Sequence, residues 1–283
     1  MRELLTGAAR RLADAGVESP RVDAELLLAA VLDLPRAGLL TLDGVPEDRV
    51  ARFEALVDQR ADRVPLQHLT GRAPFRYLEL AVGPGVFVPR PETEQLAGWA
   101  IDALAGLAAP VVVDLGSGSG ALALSIAHEV PAAALTAVER DPGAIEWTRH
   151  NAAARAAAGD HPVEVLAGDM TDPQLLPELD GSVDLVVSNP PYVPDGARMP
   201  REVADHDPPL ALWGGPDGLD VVRGLLITAA RLLRPGGLLG IEHADAQGQA
   251  LPTLVRRHGA FTDVEDHPDL AGRPRFTTAR RAG

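Results

Sequence analysis

Residues 111–127 read Val-Val-Val-Asp-Leu-Gly-Ser-Gly-Ser-Gly-Ala-Leu-Ala-Leu-Ser-Ile-Ala, and this stretch decides the fold. The continuous apolar run at its start, Val111–Leu115, predicts a buried parallel strand, and residues 121–127 predict a helix. The glycines between them let the backbone approach a ligand, and the helix N-terminus presents free N–H groups. A flexible Gly/Ser linker is disfavoured, because both flanks are apolar. The segment therefore predicts a strand–loop–helix turn that binds a nucleotide.

The spacing of the glycines narrows the kind of nucleotide site. Gly116, Gly118 and Gly120 form G-x-G-x-G with Asp114 two residues before them, whereas a dinucleotide fingerprint is G-x-G-x-x-G. No Lys-Ser/Thr pair follows the loop, which disfavours a phosphate-binding P-loop. Glu139 ends a second strand-like run about twenty residues further on, where a carboxylate can accept hydrogen bonds from ribose hydroxyls.

A second motif, Asn189-Pro190-Pro191-Tyr192, directly follows the strand-like run Val183–Ser188. It places a carboxamide at the carboxyl end of a strand, where open α/β sheets bind their ligands. The two prolines fix φ and remove two N–H donors, so the backbone there is stiff and offers only carbonyl acceptors. Such acceptors together with an aromatic face suit a planar –NH2 group. A Pro-rich turn after a buried strand is an equally good interpretation of these four residues alone.

The composition excludes several classes of protein. The 283 residues are 46% hydrophobic and include no cysteine, which permits a full core and excludes disulfides and cysteine chemistry. The N-terminus does not resemble a secretory signal and no apolar run reaches membrane-spanning length, so we expect a cytoplasmic protein without membrane contact. His206 with Asp205 and Asp207 has no second ligand set, so we expect no metal site. Residues 91–283 carry 14 Arg and 27 Asp or Glu, a net charge of −13, which disfavours nucleic acid as a direct substrate.

Residues 1–72 predict a small helical domain. Apolar residues recur there at helical spacing, and Gly, Pro and Ser residues mark the ends of the helices. Nothing in this region has the character of a catalytic group. Helices are expected at residues 2–15, 20–32 with Ser19 as the N-cap, and 48–63.

Residues 73–90 predict a β-hairpin connector, because strand-like runs at 75–80 and 86–88 flank Gly83-Pro84-Gly85. From residue 91 to residue 283 strands and helices alternate, which predicts an α/β domain with a parallel sheet. Helices are expected at 91–107 and 219–233, strands at 111–115, 134–139, 163–167, 183–188 and 237–242, a helix-stop turn at 235–237 and an edge-adjacent strand at 276–279.

The glycine loop, the acid that ends the second strand and the N-P-P-Y motif together resemble class I S-adenosylmethionine-dependent methyltransferases that methylate planar amino or amide nitrogens. Further segments narrow the resemblance to the release-factor glutamine methyltransferases, the PrmC/HemK family. The match extends from about residue 4 to residue 281. It is carried by Pro-Leu-Gln-His-Leu-Thr-Gly at 65–71, Phe75, Pro-Gly-Val-Phe-Val-Pro-Arg-Pro-Glu-Thr-Glu at 84–94, Ala-Leu-Trp-Gly-Gly-Pro-Asp-Gly-Leu-Asp at 211–220, Ile-Glu-His at 241–243 and Gln-Gly at 247–248.

The resemblance implies a fold, an activity and partners. The implied fold is an α/β, Rossmann-like methyltransferase sheet with helices on both faces, preceded by the small helical domain and the connector. The implied enzyme transfers a methyl group from S-adenosyl-L-methionine to the side-chain amide nitrogen of a glutamine in peptide chain release factors, and residues 1–72 help to hold that protein. We expect the enzyme to be a monomer.

Two other functions compete with this one. A nucleic-acid amino-methyltransferase would use the same N-P-P-Y chemistry, but the acidic charge and the Pro-Arg-Pro-Glu-Thr-Glu segment disfavour it. A non-catalytic, methyltransferase-like binding module is disfavoured because it would need neither an intact glycine loop nor an intact N-P-P-Y motif.

The expected site residues form two groups. In the first, the loop backbone faces the methionine part of the cofactor, Glu139 binds the ribose, and Asp169 and Met170 contact the adenine. In the second, Asn189 Oδ1 and the Pro190 carbonyl accept the two N–H groups of the substrate amide, Pro191 holds that carbonyl in place, and Tyr192 packs against the amide plane. The residues expected to bind the cofactor are Gly116, Ser117, Gly118, Ser119, Gly120, Glu139, Asp169, Met170 and Asn189. The residues expected to be catalytic are Asn189, Pro190 and Tyr192, and these three bind the substrate together with Pro191. Weaker candidates are Glu92 and Thr93 at the substrate entrance, and His243 is expected to be structural.

Overall fold

The computed structural model describes all residues from Met1 to Gly283. None of the helices has the length and apolar character needed to cross a membrane. Helices α1–α10 span Arg2–Asp14, Pro20–Leu32, Glu47–Ala61, Leu66–Thr70, Thr93–Ala103, Ala121–Glu129, Pro142–Ala157, Arg201–Ala204, Asp220–Leu232 and Ala250–His258. Strands β1–β9 span Arg72–Phe75, Leu78–Ala81, Val111–Leu115, Ala134–Glu139, Val163–Ala167, Val183–Ser188, Leu233–Glu242, Phe261–Pro268 and Pro274–Arg281.

The chain divides into two compact units whose segments interleave along the sequence. The first unit is helical and the second contains the large sheet. The first comprises Met1–Arg72, Val82–Pro84 and Met199–Asp207, and the second comprises Ala73–Ala81, Gly85–Arg198 and Pro208–Gly283.

The helical unit packs around one apolar face each of α1, α2 and α3. Leu12, Leu27 and Phe53 are fully buried at its centre. The helix starts follow the predicted positions, but Ser19 does not cap α2, because its side chain makes no capping hydrogen bond. Pro20 begins that helix instead, and its fixed φ suits the first helical position.

An ion-pair cluster lies inside the helical unit. Arg60 and Asp23 are each only 6% exposed, and Arg60 Nε donates to Asp23 Oδ2 at 2.7 Å. Arg60 Nη1 donates to the Val64 carbonyl and to Glu202 Oε2, both at 2.9 Å. Arg63 lies 3.5 Å from the same Glu202 oxygen. The segment Met199–Asp207 is thereby joined to the helical unit through Glu202.

Replacing Arg60 with Ala should destabilise the helical unit strongly, because the Asp23 carboxylate would stay buried without a partner. Breaking a buried ion pair from one side typically costs about 3–5 kcal/mol. Urea unfolding of the whole chain, followed by the helical circular dichroism signal, measures the effect. The control is Arg52→Ala, which removes an exposed arginine from the same helix α3. Equal shifts of the two unfolding midpoints would contradict a stabilising role for the buried cluster.

The second unit is built on a seven-stranded sheet in the order β5-β4-β3-β6-β7-β9-β8. The strands from β5 to β7 are parallel, whereas β9 is antiparallel to both of its neighbours. The chain runs outward from β3 through β4 to β5, and in the opposite direction from β6 to β7. The strand order therefore reverses between β3 and β6. In open α/β sheets, ligands bind in the crevice at the carboxyl ends of the two strands at such a reversal.

Helices cover both faces of this sheet. On one face Val112 and Leu185 pack in a cluster with side chains of α5 and α6. On the other face Val113 and Val186 pack with side chains of α9 and α10. The central strands are apolar on both sides, as expected for a parallel sheet buried between two helical layers. The predicted α/β class with helices on both faces is confirmed.

The bounds of β3, β4, β5 and β6 agree with the predicted strands. The strands towards the other edge of the sheet, β7, β9 and β8, differ from the prediction. The predicted parallel sheet is found from β5 to β7 only, because β9 is antiparallel to both of its neighbours and makes the sheet mixed. Strand β8 was not predicted, since most of its side chains are exposed and it lacks an apolar run. Residues 235–237, predicted as a helix-stop turn, lie inside β7, where the register with β6 shifts.

The connector is a hairpin, but its strands differ from the predicted ones. β1 pairs with β2 around a turn at Arg76 and Tyr77, and residues 86–88 form no strand. Arg76 adopts a left-handed φ of 51°. Its backbone N–H donates to Glu94 Oε1 at 3.0 Å, and its guanidinium pairs with Glu129 at 2.6 and 2.8 Å. These contacts come from α5 and α6, and the local sequence did not reveal them.

Candidate active site

The glycine loop after β3 has a left-handed backbone at each of its three glycines. Gly116, Gly118 and Gly120 have φ values of +83°, +57° and +85°. Glycine adopts this region without steric cost, whereas other residues avoid it. The Gly116 and Ser117 N–H groups both donate to the Val138 carbonyl of β4, at 2.8 and 3.0 Å. The loop is therefore tied to the carboxyl end of the neighbouring strand.

Two side chains of α7 hold the carbonyl groups of the same loop. Thr148 Oγ1 donates to the Gly118 carbonyl at 2.5 Å, and Asn151 Nδ2 donates to the Ser119 carbonyl at 2.9 Å. Asn151 also exchanges two hydrogen bonds with the backbone of Ala81 in β2. Sequence reasoning missed both residues. The available signal was a pair of polar side chains three positions apart on a helix, which share one face.

Glu139 lies beside the loop, as its position in the sequence predicted. Its Oε2 accepts from the Gly118 N–H at 3.0 Å, and its Oε1 accepts from the N–H groups of Arg140 and Asp141 at 2.8 and 2.9 Å. A carboxylate has about four lone-pair positions, so about one is left for a ribose hydroxyl. The carboxylate thus holds two loops together while keeping acceptor capacity.

Asp169 and Met170 follow β5 and reach the same edge of the sheet. The Met170 Cε atom lies 2.5 Å from the point that a Cβ on Gly116 would occupy. Any side chain at residue 116 would therefore displace the Met170 side chain. The Asp169 carboxylate accepts from the Thr171 backbone and hydroxyl at 2.8 and 2.7 Å and pairs with Arg140 at 3.3 Å. Burial opposes ionisation of Asp169, but these hydrogen bonds outweigh it and lower the pKa of the carboxyl. The residue is thus an anionic acceptor at neutral pH.

Asp114, at the end of β3, is completely buried beneath the loop. Its Oδ2 accepts from the Ala123 N–H in the first turn of α6 at 3.1 Å, while its buried Oδ1 has no partner. Burial raises the pKa of this carboxyl to about 7, and the Glu139 charge adds to the rise. An unpartnered buried oxygen is costly to a fold, and such groups are commonly kept where a ligand or water completes them.

The N-P-P-Y motif lies next to the glycine loop. The Asn189 carbonyl oxygen is 4.0 Å from the point that a Cβ on Gly116 would occupy. Further along, the Pro191 carbonyl is 2.6 Å from the corresponding point on Gly214, so only glycine fits there. Gln247 Nε2 donates to the Tyr192 carbonyl at 3.0 Å. The two motifs are separated in sequence, and the sheet brings them together at the strand-order reversal.

The side chains of the motif are held by two groups from other elements. Asn189 Nδ2 donates to Thr93 Oγ1 at 3.3 Å, and the Tyr192 hydroxyl donates to Glu242 Oε1 at 3.3 Å. Thr93 begins α5 and is 4% exposed, and Glu242 ends β7 and is 1% exposed. Thr93 was expected at a substrate entrance, and it contacts the carboxamide of the motif itself. Sequence reasoning gave Glu242 no role, although an acid at the end of a buried strand was the available signal.

Burial and the groups around Glu242 have opposing effects on the pKa of its carboxyl. Burial raises the pKa of Glu242 to about 7, and the negative charge of Glu92 adds to the rise. The Thr93 and Tyr192 hydroxyls and the Arg275 guanidinium act in the opposite direction. Burial and the nearby Glu242 charge also raise the pKa of Tyr192, so the phenol keeps its proton at neutral pH.

His243 has a structural environment. It is 1% exposed, and its two ring nitrogens lie 2.8 Å from the Ala244 carbonyl and from Asp266 Oδ1. Elsewhere, no group of three or more His, Asp or Glu side chains is arranged to hold a metal ion.

Comparison with known proteins matches both parts of the chain. A family model for the PrmC N-terminal domain matches residues 3–71, and one for the methyltransferase small domain matches residues 83–205. Two curated relatives, both called release factor glutamine methyltransferase, are 52% identical to this chain. The Mycolicibacterium smegmatis protein covers 99% of this chain and 98% of its own length, and the Streptomyces coelicolor protein covers 97% and 96%.

The chain belongs to the release factor glutamine methyltransferases.

Solved structures agree with the methyltransferase fold of this family member. The 16S rRNA N2 G1207 methyltransferase of T. thermophilus, solved with AdoMet and guanosine, has a TM-score of 0.53 and 23% identity over 74% of this chain and 49% of its own. A ribosomal protein L11 methylase from Lactobacillus delbrueckii has a TM-score of 0.51 and 18% identity over 75% of this chain and 99% of its own. At these identities the likeness concerns the fold.

In this release factor glutamine methyltransferase, Gly118→Val should weaken cofactor binding. No heavy atom lies within 4 Å of the point that a Cβ on Gly118 would occupy, so the fold has room for the new side chain. That side chain would fill the approach to the loop backbone. Calorimetry with S-adenosylmethionine measures the loss, which we expect to be at least roughly tenfold, because one or two lost backbone contacts are worth that much.

Gly181→Val is the matched control for this experiment. Gly181 has φ +62°, close to the +57° of Gly118, and open space around its Cβ position, but it precedes β6 at the opposite, amino end of the strand. Both variants carry the same left-handed strain, so only proximity to the loop differs. Unchanged cofactor affinity in a folded Gly118→Val protein would contradict the assignment of this loop to the cofactor.

Proposed function

We propose that this protein transfers a methyl group from S-adenosylmethionine to the side-chain amide nitrogen of a glutamine in peptide chain release factors. The observation that carries the proposal is the position of the N-P-P-Y motif directly beside the glycine loop, at the reversal of strand order. The near full-length similarity to proteins called release factor glutamine methyltransferase supports the choice of substrate.

The cofactor is held by residues at the carboxyl ends of β3, β4 and β5. The loop from Gly116 to Gly120 offers its backbone to the methionine part, and the orphan Oδ1 of Asp114 suits a donor from the ligand or a bound water. Glu139 has acceptor capacity left for the ribose, and Asp169 can accept from the exocyclic amine of adenine. Met170 provides an apolar, polarizable surface for the adenine ring.

S-adenosylmethionine, when bound, supplies an electrophilic methyl group. The glutamine side chain is a poor nucleophile, because the lone pair on its nitrogen is delocalised into the carbonyl group. The task of the protein is therefore to hold this nitrogen with its lone pair directed at the methyl group. Two acceptors, Asn189 Oδ1 and the Pro190 carbonyl, do this by accepting the two N–H groups of the amide. Pro191 stiffens that backbone and Tyr192 packs against the amide plane.

No strong base is needed before the transfer. The N–H groups of an amide become acidic only as the new N–C bond forms, and a proton can then leave through the acceptor that already holds it. The Tyr192 phenol is protonated and donates to Glu242, so it is not available as a base. Catalysis rests on orientation and on electrostatic stabilisation of the amide in its reactive arrangement.

The helical unit is the part that recognises the release factor in this proposal. Its segment Met1–Arg72 contains none of the cofactor-binding residues, and the family model for the PrmC N-terminal domain matches residues 3–71. Residues 73–90 then form the connector and residues 91–283 the methyltransferase domain. The Met199–Asp207 segment of the helical unit follows the N-P-P-Y motif in sequence, so substrate-recognising and substrate-orienting segments are close along the chain.

Asn189→Ala should fold normally and lose most of its turnover. It removes the acceptor for the substrate –NH2 group, and loss of one well-placed catalytic hydrogen bond typically costs on the order of 10²–10³ in rate. Asn189→Asp should also be impaired, because it keeps the acceptor but brings a charge and loses the donor to Thr93. Tyr192→Phe should be milder, because it keeps the ring. Single-turnover methylation of a release factor measures all three.

Gln174→Ala is the control for these variants, because it removes an exposed carboxamide elsewhere in the chain. Release factor, nucleic acid and free glutamine are tested side by side, and mass spectrometry locates the methyl group. A near wild-type rate for Asn189→Ala would contradict the chemical role of this residue. Methyl transfer to nucleic acid with none to a release-factor glutamine would overturn the proposed substrate.

A further inference from the structure

Two segments that carry the family resemblance, at residues 211–220 and 247–248, contain none of the proposed cofactor-binding or catalytic residues. The fold brings both of them onto the backbone of the N-P-P-Y motif and the residue after it. The Val193 N–H donates to the Leu212 carbonyl at 2.8 Å, and the Gly214 N–H donates to the Val193 carbonyl at 2.9 Å. Val193 and Trp213 thereby form an isolated parallel bridge, which anchors the chain directly after the motif.

Gln247 joins three separate segments through a single carboxamide. It is 6% exposed, and its Nε2 donates to the Tyr192 carbonyl at 3.0 Å and to the Asp217 carbonyl at 3.3 Å. Its Oε1 accepts from the Ala244 N–H at 3.0 Å. Both N–H groups of the amide are therefore in use. The reverse orientation would turn an oxygen towards two carbonyl oxygens, so this network fixes the direction of the carboxamide.

Two glycines pack against the same stretch of backbone from the other side. Gly218 has φ +74°, and a Cβ on it would collide with the Tyr192 carbonyl and lie 2.6 Å from Gln247 Nε2. A Cβ on Gly214 would lie 2.6 Å from the Pro191 carbonyl. Only glycine allows so close an approach. Gln247 and residues 214–218 thus form a clamp that encloses the carbonyls of Pro191 and Tyr192.

The motif needs such support because Pro190 and Pro191 have no N–H group with which to anchor their own peptide units. Their rings fix φ, but ψ, which directs each carbonyl, is left to the surroundings. Once the carbonyls of Pro191 and Tyr192 are held, the Pro190 carbonyl has little freedom to turn. It receives no hydrogen bond from another residue of the chain, so its lone pairs remain available to a substrate amide.

We propose that Gln247 is a positioning residue for the methyl transfer. By fixing the Tyr192 peptide unit, it sets the direction of the Pro190 carbonyl and the place of the Tyr192 ring. This inference rests on the proposed function, because it explains how the groups that orient the substrate amide are themselves oriented. A transfer that depends on orientation loses rate when an acceptor turns away, even if the protein substrate still binds.

Gln247→Met and Gln247→Glu test the proposal. The first keeps a side chain of similar length and removes all three hydrogen bonds, whereas the second keeps the shape and the acceptor but removes both donors. We expect kcat with a release factor to fall about 10- to 100-fold, because a displacement of about 1 Å caused away from the reacting atoms can cost on the order of 10² in rate. The KM for the release factor should stay near wild type, so that kcat and kcat/KM fall together.

The affinity for S-adenosylmethionine, measured by calorimetry, should also stay near wild type in both variants. The side chain of Gln247 bonds only the backbone groups of Tyr192, Asp217 and Ala244, none of which belongs to the cofactor-binding residues. Gln249→Glu is the matched control, because Gln249 is exposed, makes no capping hydrogen bond and would gain the same charge two positions further along. It should keep wild-type kcat.

Gly218→Ala acts on the clamp from its other side. The new Cβ would push the Tyr192 carbonyl away from Gln247, so kcat should fall as it does in Gln247→Met. The double variant should be no slower than the slower single variant, because both changes act on the same carbonyl. Gly259→Ala is the control. Gly259 has φ +79° and open space around its Cβ position, and it precedes β8 at the amino-terminal edge of the sheet, so it carries the same backbone strain without the contact.

The division between kcat and KM separates positioning from a purely structural role. A structural glutamine would lower the melting temperature of its variants but leave the kcat of the folded protein unchanged, so rates are measured well below each melting temperature. Wild-type kcat in folded Gln247→Met would overturn the proposal. A loss confined to KM, or multiplied losses of kcat in the double variant, would overturn it as well.

A measurement without substrate distinguishes failure of this inference from failure of the proposed function. The side-chain amide protons of Gln247 can be assigned by comparing 15N spectra of wild type and Gln247→Met. They should exchange slowly with solvent in wild type and in Gly259→Ala, and faster in Gly218→Ala. If wild type does not methylate release factors, the proposed function fails and this readout still tests the clamp. Equal exchange rates in wild type and Gly218→Ala would overturn the clamp itself.

Discussion

The parallel pairing of β3 with β6 is the constraint on which the rest of the site depends. Val112, Val113 and Asp114 lie in register with Leu185, Val186 and Val187, so the two strands end at the same edge of the sheet. The glycine loop continues from one strand and the N-P-P-Y motif from the other. Because the chain turns outward in opposite directions from these two strands, no crossover helix covers the crevice between their carboxyl ends.

Side chains from outside the two motifs then fix the loops in place. Thr148 and Asn151, both on α7, donate to carbonyl groups of the glycine loop. Glu139, at the end of β4, accepts from the Gly118 N–H group of the same loop. Gln247 plays the same part for the backbone of Tyr192. Catalysis by orientation requires the catalytic groups to be preorganised before the substrate binds, and these hydrogen bonds hold the two loops in position. The recognisable motifs are therefore only the inner part of a larger polar framework.

Two buried carboxyl groups at strand ends indicate that the site carries a cost in stability. Burial raises the pKa of Asp114 and of Glu242 to about 7. A carboxyl whose pKa is raised in the folded state favours folding at pH values below its ordinary pKa, and this contribution is lost as the pH rises through about 7. At higher pH both groups are held as buried charges. Each has an oxygen without a protein partner, so the fold retains acceptors that its own stability does not require.

Local sequence signals were sufficient to locate several elements before the structure was known. The continuous apolar run at 111–115 specified β3, because a strand buried on both faces needs no alternation, and the glycine spacing specified the loop. The same reasoning missed β8, whose exposed side chains follow no pattern, and misplaced the hairpin, whose turn at Arg76 is held by Glu94 and Glu129. The polar side chains that meet at the site could be identified only from the folded chain. Asn189 bonds Thr93, and Tyr192 bonds Glu242, across long separations in the chain, so these hydrogen bonds depend on strand order and not on the neighbouring residues.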